Sequence, residues 1–119
     1  VVAVPNTNRR RDLTPTHTLL DGEGNEQALF AATGRGDKFL QFFREQLFPE
    51  VESKYRTIPH RTIVGNSLGG LLALHAMVQS PDLFQGYIAN DPSLWWDDQY
   101  VLRQAKKAIA PDRQSVRSV

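Results

Sequence analysis

Apolar residues fall into short runs separated by polar stretches, and the spacing inside each run predicts an element. Val1-Val2-Ala3-Val4 is an unbroken apolar run rich in β-branched residues, stopped by Pro5-Asn6. Its lack of alternation suits a strand covered on both faces. Residues 6 to 37 then mix Asn, Thr, Gly, Pro and charge. They predict a long surface excursion with a turn at Asp21-Gly22 and a short strand or turn near Ala28–Thr33. Loops of this length are uncommon inside compact domains and tend to be functional or to border a site.

Asp37 is a suitable N-cap for the next segment. Phe39, Leu40, Phe43, Leu47, Val51 and Tyr55 follow at helical spacing with Lys, Arg and Glu between them, and Pro49 should kink or interrupt that helix. Arg61-Thr62-Ile63-Val64 predicts a short buried strand that runs straight into Gly65-Asn66-Ser67-Leu68-Gly69-Gly70. The segment from Leu68 to about Gln79 is apolar nearly all round, as in a helix buried on most sides, and Pro81 marks its end. A third apolar run, Phe84 to Ala89, ends at Asn90-Asp91-Pro92-Ser93, and Asp97 or Asp98 is expected to cap an amphipathic helix through Val101, Leu102, Ala105 and Ile109. Strand and helix alternate three times. That order predicts the α/β class, a parallel sheet covered by helices, in one domain over residues 1–119.

Composition narrows the function classes. The chain has 119 residues, 40% hydrophobic and 23% charged, which is ordinary for a folded domain and argues against intrinsic disorder. Lys plus Arg number 14 against 13 Asp plus Glu, a net charge of +1, so no strong electrostatic footprint for nucleic acid or anionic membrane is present. Without cysteine there is no disulfide, thiolate metal site or Cys nucleophile, and either redox compartment is tolerated, so localisation stays open. No apolar run approaches the roughly 20 residues of a membrane span. The N-terminus carries no basic stretch or signal-like cleavage site, and its abrupt apolar opening suggests a segment from the middle of something longer. No metal-ligand spacing, G-x-G-x-x-G or P-loop pattern occurs, so no cofactor or metal is expected.

The chemistry centres on Gly65-Asn66-Ser67-Leu68-Gly69, a G-x-S-x-G match between an apolar strand and an apolar helix. That context is what a nucleophile elbow requires: a sharp strand-to-helix turn holds the serine in a strained conformation and projects its Oγ above the sheet edge. Glycines two residues to either side are expected to remove Cβ atoms that would collide with the turn. The helix N-terminus directs free N–H groups at the site, and the Leu68 N–H is placed to stabilise an oxyanion. An ordinary Gly-rich connection with an incidental serine is the plainer alternative.

Val1-Val2-Ala3-Val4-Pro5-Asn6, Arg11-Asp12-Leu13-Thr14-Pro15, Asp37-Lys38-Phe39-Leu40, Gly65-Asn66-Ser67-Leu68-Gly69-Gly70, His75 and Pro92-Ser93-Leu94-Trp95-Trp96 occur in that order. Together they resemble the middle of the esterase D family, putative esterases of the α/β-hydrolase superfamily, over about nine-tenths of the chain. The resemblance implies a partial α/β-hydrolase fold, a small-molecule carboxylic ester as substrate and a serine hydrolase working through an acyl-enzyme. Asn66 stands where many members have His, which is not a catalytic group in the family.

A serine hydroxyl needs a base within hydrogen-bond reach to act as a nucleophile. In such hydrolases the acid and then the His follow the serine after later strands, and the resemblance places that His well beyond Val119. Of the three histidines here, His75 lies about 12 Å along the helix axis from Ser67 at ~1.5 Å per residue, and reads as a packed or capped helix residue. His60 enters the strand at the end opposite the elbow, and His17 reads as a solvated loop residue. Asp91 follows a strand at the site-bearing edge, where some hydrolases carry an acid; a turn-forming Asp before Pro92 is the alternative. Trp95 and Trp96 either line an acyl or aromatic pocket or pack in a core or interface. Arg9-Arg10-Arg11 meets an anionic substrate, pairs with Asp12, or is a solvated face. Arg35-Gly36-Asp37 spells an adhesion tripeptide, better explained by helix capping.

If Val1–Val4 is the family's fourth strand, as the resemblance implies, the second oxyanion donor and the third strand precede Val1. The third strand would lie between the two strands the chain holds. Those strands are then expected to re-pair directly or with another copy, making a homo-oligomer through strand edges, because unpaired buried backbone groups cost about 1–3 kcal/mol each. The competing reading of function is a catalytically incomplete hydrolase fragment serving as an oligomeric or interaction module. Acyl transfer to an acceptor other than water is a third.

Overall fold

β1 (Thr62–Asn66) and β2 (Gly86–Asn90) lie side by side in parallel, Thr62 opposite Gly86 through Asn66 opposite Asn90, in a computed structural model that describes residues 1–109. α4 (Leu68–Gln79) connects them. Leu and Ala fill half of α4, and both are strong helix formers. The Ser80 N–H closes its last turn on the Ala76 carbonyl, and Pro81 follows.

α4 is the axis of the molecule because it is apolar on every side. Leu72 and Ala76 enter a core with Leu13, Leu40, Phe43, Leu83 and Phe84, while Leu71 enters a second core with Phe30, Trp96 and Val101. The first core is built by α2 (Gly36–Phe42), a π-helical turn at Phe43–Leu47 and α3 (Phe48–Lys54), and the second by α5 (Trp96–Ala108). Pro49 sits in the first turn of α3. The wide turn directly before it accommodates a residue that has no N–H and whose ring collides with the preceding turn. The expected interruption therefore appears as a π-turn.

Along the sheet, Ile63 and Tyr87 point to the first core. Val64 and Ile88 point the other way and are exposed. Among the described residues, helices thus cover one face of this parallel pair rather than both.

The expected strand at Val1–Val4 is not formed. Val2, Ala3 and Val4 line an apolar trough of about 570 Å³ that Ile63, Val64 and Gly65 of β1 also line. No ladder joins that run to β1. Direct re-pairing of these two segments is therefore corrected; β1 pairs with β2 instead.

The 6–37 excursion is tied down by polar contacts. A short helix α1 (Arg9–Asp12) is capped by the Asn8 side chain, which accepts from the Arg11 N–H at 3.0 Å. Arg11 pairs with Asp12 at 2.7 Å, so the charge-pairing reading of that arginine holds. The hydrogen bond and charge of Asp12 raise the pKa of Arg11 further. The fully buried Thr14 joins distant parts of the loop. Its Oγ1 donates to the Arg10 carbonyl (2.6 Å) and accepts from the Gly34 N–H (2.8 Å), and its carbonyl accepts from the Gly36 N–H (2.8 Å). The Asp21-Gly22 turn is present, with the Asp21 carboxylate accepting from the N–H groups of Glu23 and Asn25. Ala28–Phe30 is a single 3-10 turn.

Two expected caps are corrected. Asp37 does not cap α2, whose N-cap is Arg35; it lies inside the first turn and its Oδ1 is 2.7 Å from Nε2 of the buried His75 on α4. A buried imidazole needs a partner more than a solvated helix end does. Neither Asp97 nor Asp98 caps α5, because Asp97, Asp98 and Gln99 are left-handed (φ 49°, 53° and 59°). The carbonyls of Asp98 and Asp97 are taken instead by the guanidinium of Arg103, at 2.9 and 3.3 Å.

Candidate active site

The carboxyl ends of β1 and β2 lie together, and the turns leaving them meet at residue 67. In open α/β sheets this edge is where ligands bind. Ser67 is the one residue between β1 and α4 and has φ 59° and ψ −112°. A positive φ of this kind is disfavoured for any side chain with a Cβ, and surrounding structure must hold it. Three main-chain bonds do so. The Ser67 N–H donates to the Asn90 carbonyl at 3.0 Å, and its carbonyl accepts from Leu71 (3.0 Å) and Ser93 (3.1 Å).

Glycine geometry sets the bend, with one change from expectation. A Cβ on Gly65 would lie 2.1 Å from the Gly69 carbonyl oxygen. A Cβ on Gly69 would meet nothing within 4 Å, whereas one on Gly70 would come within 3.1 Å of Pro92 and 3.2 Å of the Asn90 and Gly65 carbonyl oxygens. The crowded partner of Gly65 is therefore Gly70, because that position of α4 faces the strand ends and the 90–92 turn.

Ser67 is half-buried, and its Oγ is 3.1 Å from Oγ of Ser93. Leu68, Gly69 and Gly70 are the first residues of α4, where N–H groups have no carbonyl one turn back within the helix. The helix dipole adds positive potential at the same place. A hydroxyl held off the sheet edge beside free amides suits attack on a carbonyl and capture of the developing oxyanion.

Asn66 is exposed, and its side-chain Oδ1 accepts from the Asn90 amide at 2.8 Å, tying the two strand ends. Its main-chain carbonyl accepts from the Arg9 guanidinium at 2.8 Å, which sets a cation beside the elbow. Asp91 is exposed with φ 45°, the bend before Pro92. Trp95 is 43% exposed and stacks near Gly22. Trp96 is fully buried, its Nε1 donating to the Thr16 carbonyl at 3.2 Å and its ring 5.1 Å from Phe30.

The histidines lie in other contacts. His75 holds Asp37, His17 Nδ1 faces the Thr33 carbonyl and hydroxyl at 3.3 and 3.1 Å, and exposed His60 faces Thr62 Oγ1. Among the described residues no group of three or more His, Cys, Asp or Glu could hold a metal, and no helix is long and apolar enough to cross a membrane.

Ser93 is a neighbour of the elbow that local sequence reading gives no role, and Arg9 is one that it reads only as part of a basic run. Ser93 follows β2 at the carboxyl edge, a position that the strand-end rule singles out once the sheet is known. Arg9 is 57 residues from its acceptor, and nothing beyond a basic run marks it.

A family model described as "Putative esterase" matches residues 1–118. The ferri-bacillibactin esterase BesA of Bacillus subtilis is 38% identical over 104 residues, covering 86% of this chain and 36% of that protein. Among solved structures, an IroE-like serine hydrolase from Shewanella oneidensis superposes with a TM-score of 0.82 at 41% identity, over 87% of this chain and 33% of that one. The siderophore hydrolase EstA from Aspergillus nidulans gives 0.76 at 32% identity, over 96% and 39%. The chain spans 27% to 36% of the length of the curated relatives it matches.

Proposed function

The chain belongs to the putative esterase family, and from that premise we propose that it carries the nucleophile of a serine carboxylic-ester hydrolase acting through an acyl-enzyme. The observation that carries the proposal is the backbone of Ser67: φ 59° between a parallel strand and an apolar helix, with Oγ at the carboxyl edge. Ser67 Oγ attacks the ester carbonyl carbon, its proton passes to a base, and the alcohol leaves with a proton returned by that base. The Leu68 N–H stabilises the oxyanion of each tetrahedral intermediate. Water then attacks the acyl-enzyme and frees the acid. His17, His60 and His75 face Thr33, Thr62 and Asp37 rather than Ser67, so in this reading the histidine base comes from outside these 119 residues.

The names of the relatives, esterases of ferri-bacillibactin, triacetylfusarinine C and enterobactin, support a siderophore ester as substrate. The Arg9 cation beside the elbow and the exposed Trp95 ring suit an anionic, aromatic ligand. The edge of β1 left unpaired among the described residues supports association through strand edges, which chromatographic mass against concentration measures. The test of the catalytic proposal is a fluorophosphonate probe. In a protein that carries the base as well, labelling at Ser67 that disappears in Ser67→Ala, together with release of acid from a siderophore ester, is expected. No labelling of that protein in its folded state would leave the interaction-module reading in its place.

A further inference from the structure

We propose that Ser93 is a positioning residue for the Ser67 hydroxyl, a role that rests on the reading of Ser67 as nucleophile. Ser93 is 5% exposed, and its Oγ is 3.1 Å from Ser67 Oγ. A buried hydroxyl requires a partner, and this one is directed at the atom that reacts. Its position is fixed from both sides: the Ser93 N–H donates to the Ser67 carbonyl at 3.1 Å, and the Ser93 carbonyl accepts from the N–H of fully buried Trp96 at 3.1 Å. The 90–93 turn is thereby anchored in the second core, and the nucleophile's main chain and side chain are both held by one residue of it.

The direction of the Oγ–Oγ bond decides what it does. With Ser93 as donor, Ser67 keeps its own proton free for a base and its rotamer is set. In attack, the Ser67 O–H bond breaks towards the base as the C–Oγ bond forms. In deacylation a water O–H proton goes to the base, the new C–O bond forms, the C–Oγ bond breaks and the base returns its proton to Oγ. Ser93 O–H donates to Oγ while electron density builds on it, and no group beyond the ester, water and base enters the balance. One neutral hydrogen bond of this kind corresponds to about three- to tenfold in rate.

The test is the rate constant and final amplitude of fluorophosphonate labelling at Ser67, with thermal midpoints, for the wild type, Ser93→Ala, Ser93→Thr and Ser93→Cys, each in a protein that carries the base as well. The alanine variant keeps both main-chain bonds and should label about three- to tenfold more slowly to full amplitude. Threonine, which retains the hydroxyl, should restore the rate. Cysteine, close in volume but a poor donor, should behave like alanine and carries the comparison if the alanine variant does not fold. Wild-type rates in the alanine and cysteine variants overturn the proposal. So does a lower amplitude at unchanged rate, which is a structural effect, or a threonine variant as slow as alanine. A wild type that carries the base and still does not label at Ser67 overturns the nucleophile reading itself, and with it this one, by a result distinct from the others.

Discussion

A β-carbon on Gly65 would sit 2.1 Å from the carbonyl oxygen of Gly69, closer than any real contact allows. Strand end and helix start are pressed together at this point, and residue 67 can leave the sheet edge only because residue 65 has no side chain. Gly65→Ala should therefore cost about 3 kcal/mol or more, read as collapse of the thermal midpoint or loss of soluble protein. Gly69→Ala should fold and gain about 0.5–1 kcal/mol, since alanine is the better helix former and its Cβ meets nothing. A stable Gly65→Ala would refute the stated geometry.

Ser67 pays for its position in backbone strain, at about 1–3 kcal/mol for a side chain held at this φ. Ser67→Gly and Ser67→Ala should both abolish probe labelling and both leave the Ser93 hydroxyl without its partner, but glycine relieves most of the strain and should melt higher than alanine. Equal midpoints for the glycine and alanine variants would show that the conformation is not strained.

His75 and Asp37 clamp α2 to α4 through a 2.7 Å bond from an imidazole that is 3% exposed. Asp37→Ala strands a buried ring nitrogen and should cost about 1–3 kcal/mol in denaturant unfolding. Asp37→Asn, which can still pair with the ring, should recover much of that loss.

Thr14→Val is close in shape but removes the hydroxyl that reaches the Arg10 carbonyl and the Gly34 N–H. The Gly34 N–H loses its acceptor, and a destabilisation of about 1–3 kcal/mol is expected. Faster amide exchange across residues 33–36 than in α4 would locate the effect.

Hydrogen bonds from the Asn25 N–H, the Gln27 side chain and the Glu23 N–H hold the Asp21 carboxyl below the usual carboxylate range. With the folded pKa lowered, the stabilisation is complete above the unfolded-state pKa and is lost as pH falls through the folded value. The chemical shifts of residues 21–27 should therefore move together at acid pH with a midpoint below that of a free aspartate. Asp21→Asn should flatten that response, and a midpoint in the ordinary range would count against these bonds.

Periodicity and motif context determine much of this protein: the apolar helix over Leu68–Gln79, the strand before it, the α/β alternation and a serine at the bend between them. Each depends on contacts within a few residues, so the local pattern suffices. The long-range pairings were decided by the tertiary structure. Val1–Val4 looks like a strand by composition, yet a strand exists only where a neighbour lies within hydrogen-bond distance, and no ladder joins it to β1. Asp37 looks like a cap until a buried imidazole from 38 residues away claims its carboxylate. Trp95 and Trp96 are indistinguishable in sequence; one covers Gly22 at the surface and the other fills the core beside Phe30. Ser93 reaches Ser67 across 26 residues only because parallel pairing brings the two carboxyl ends of the strands to one edge. Chain spacing carries no distance information on that scale, and packing supplies it.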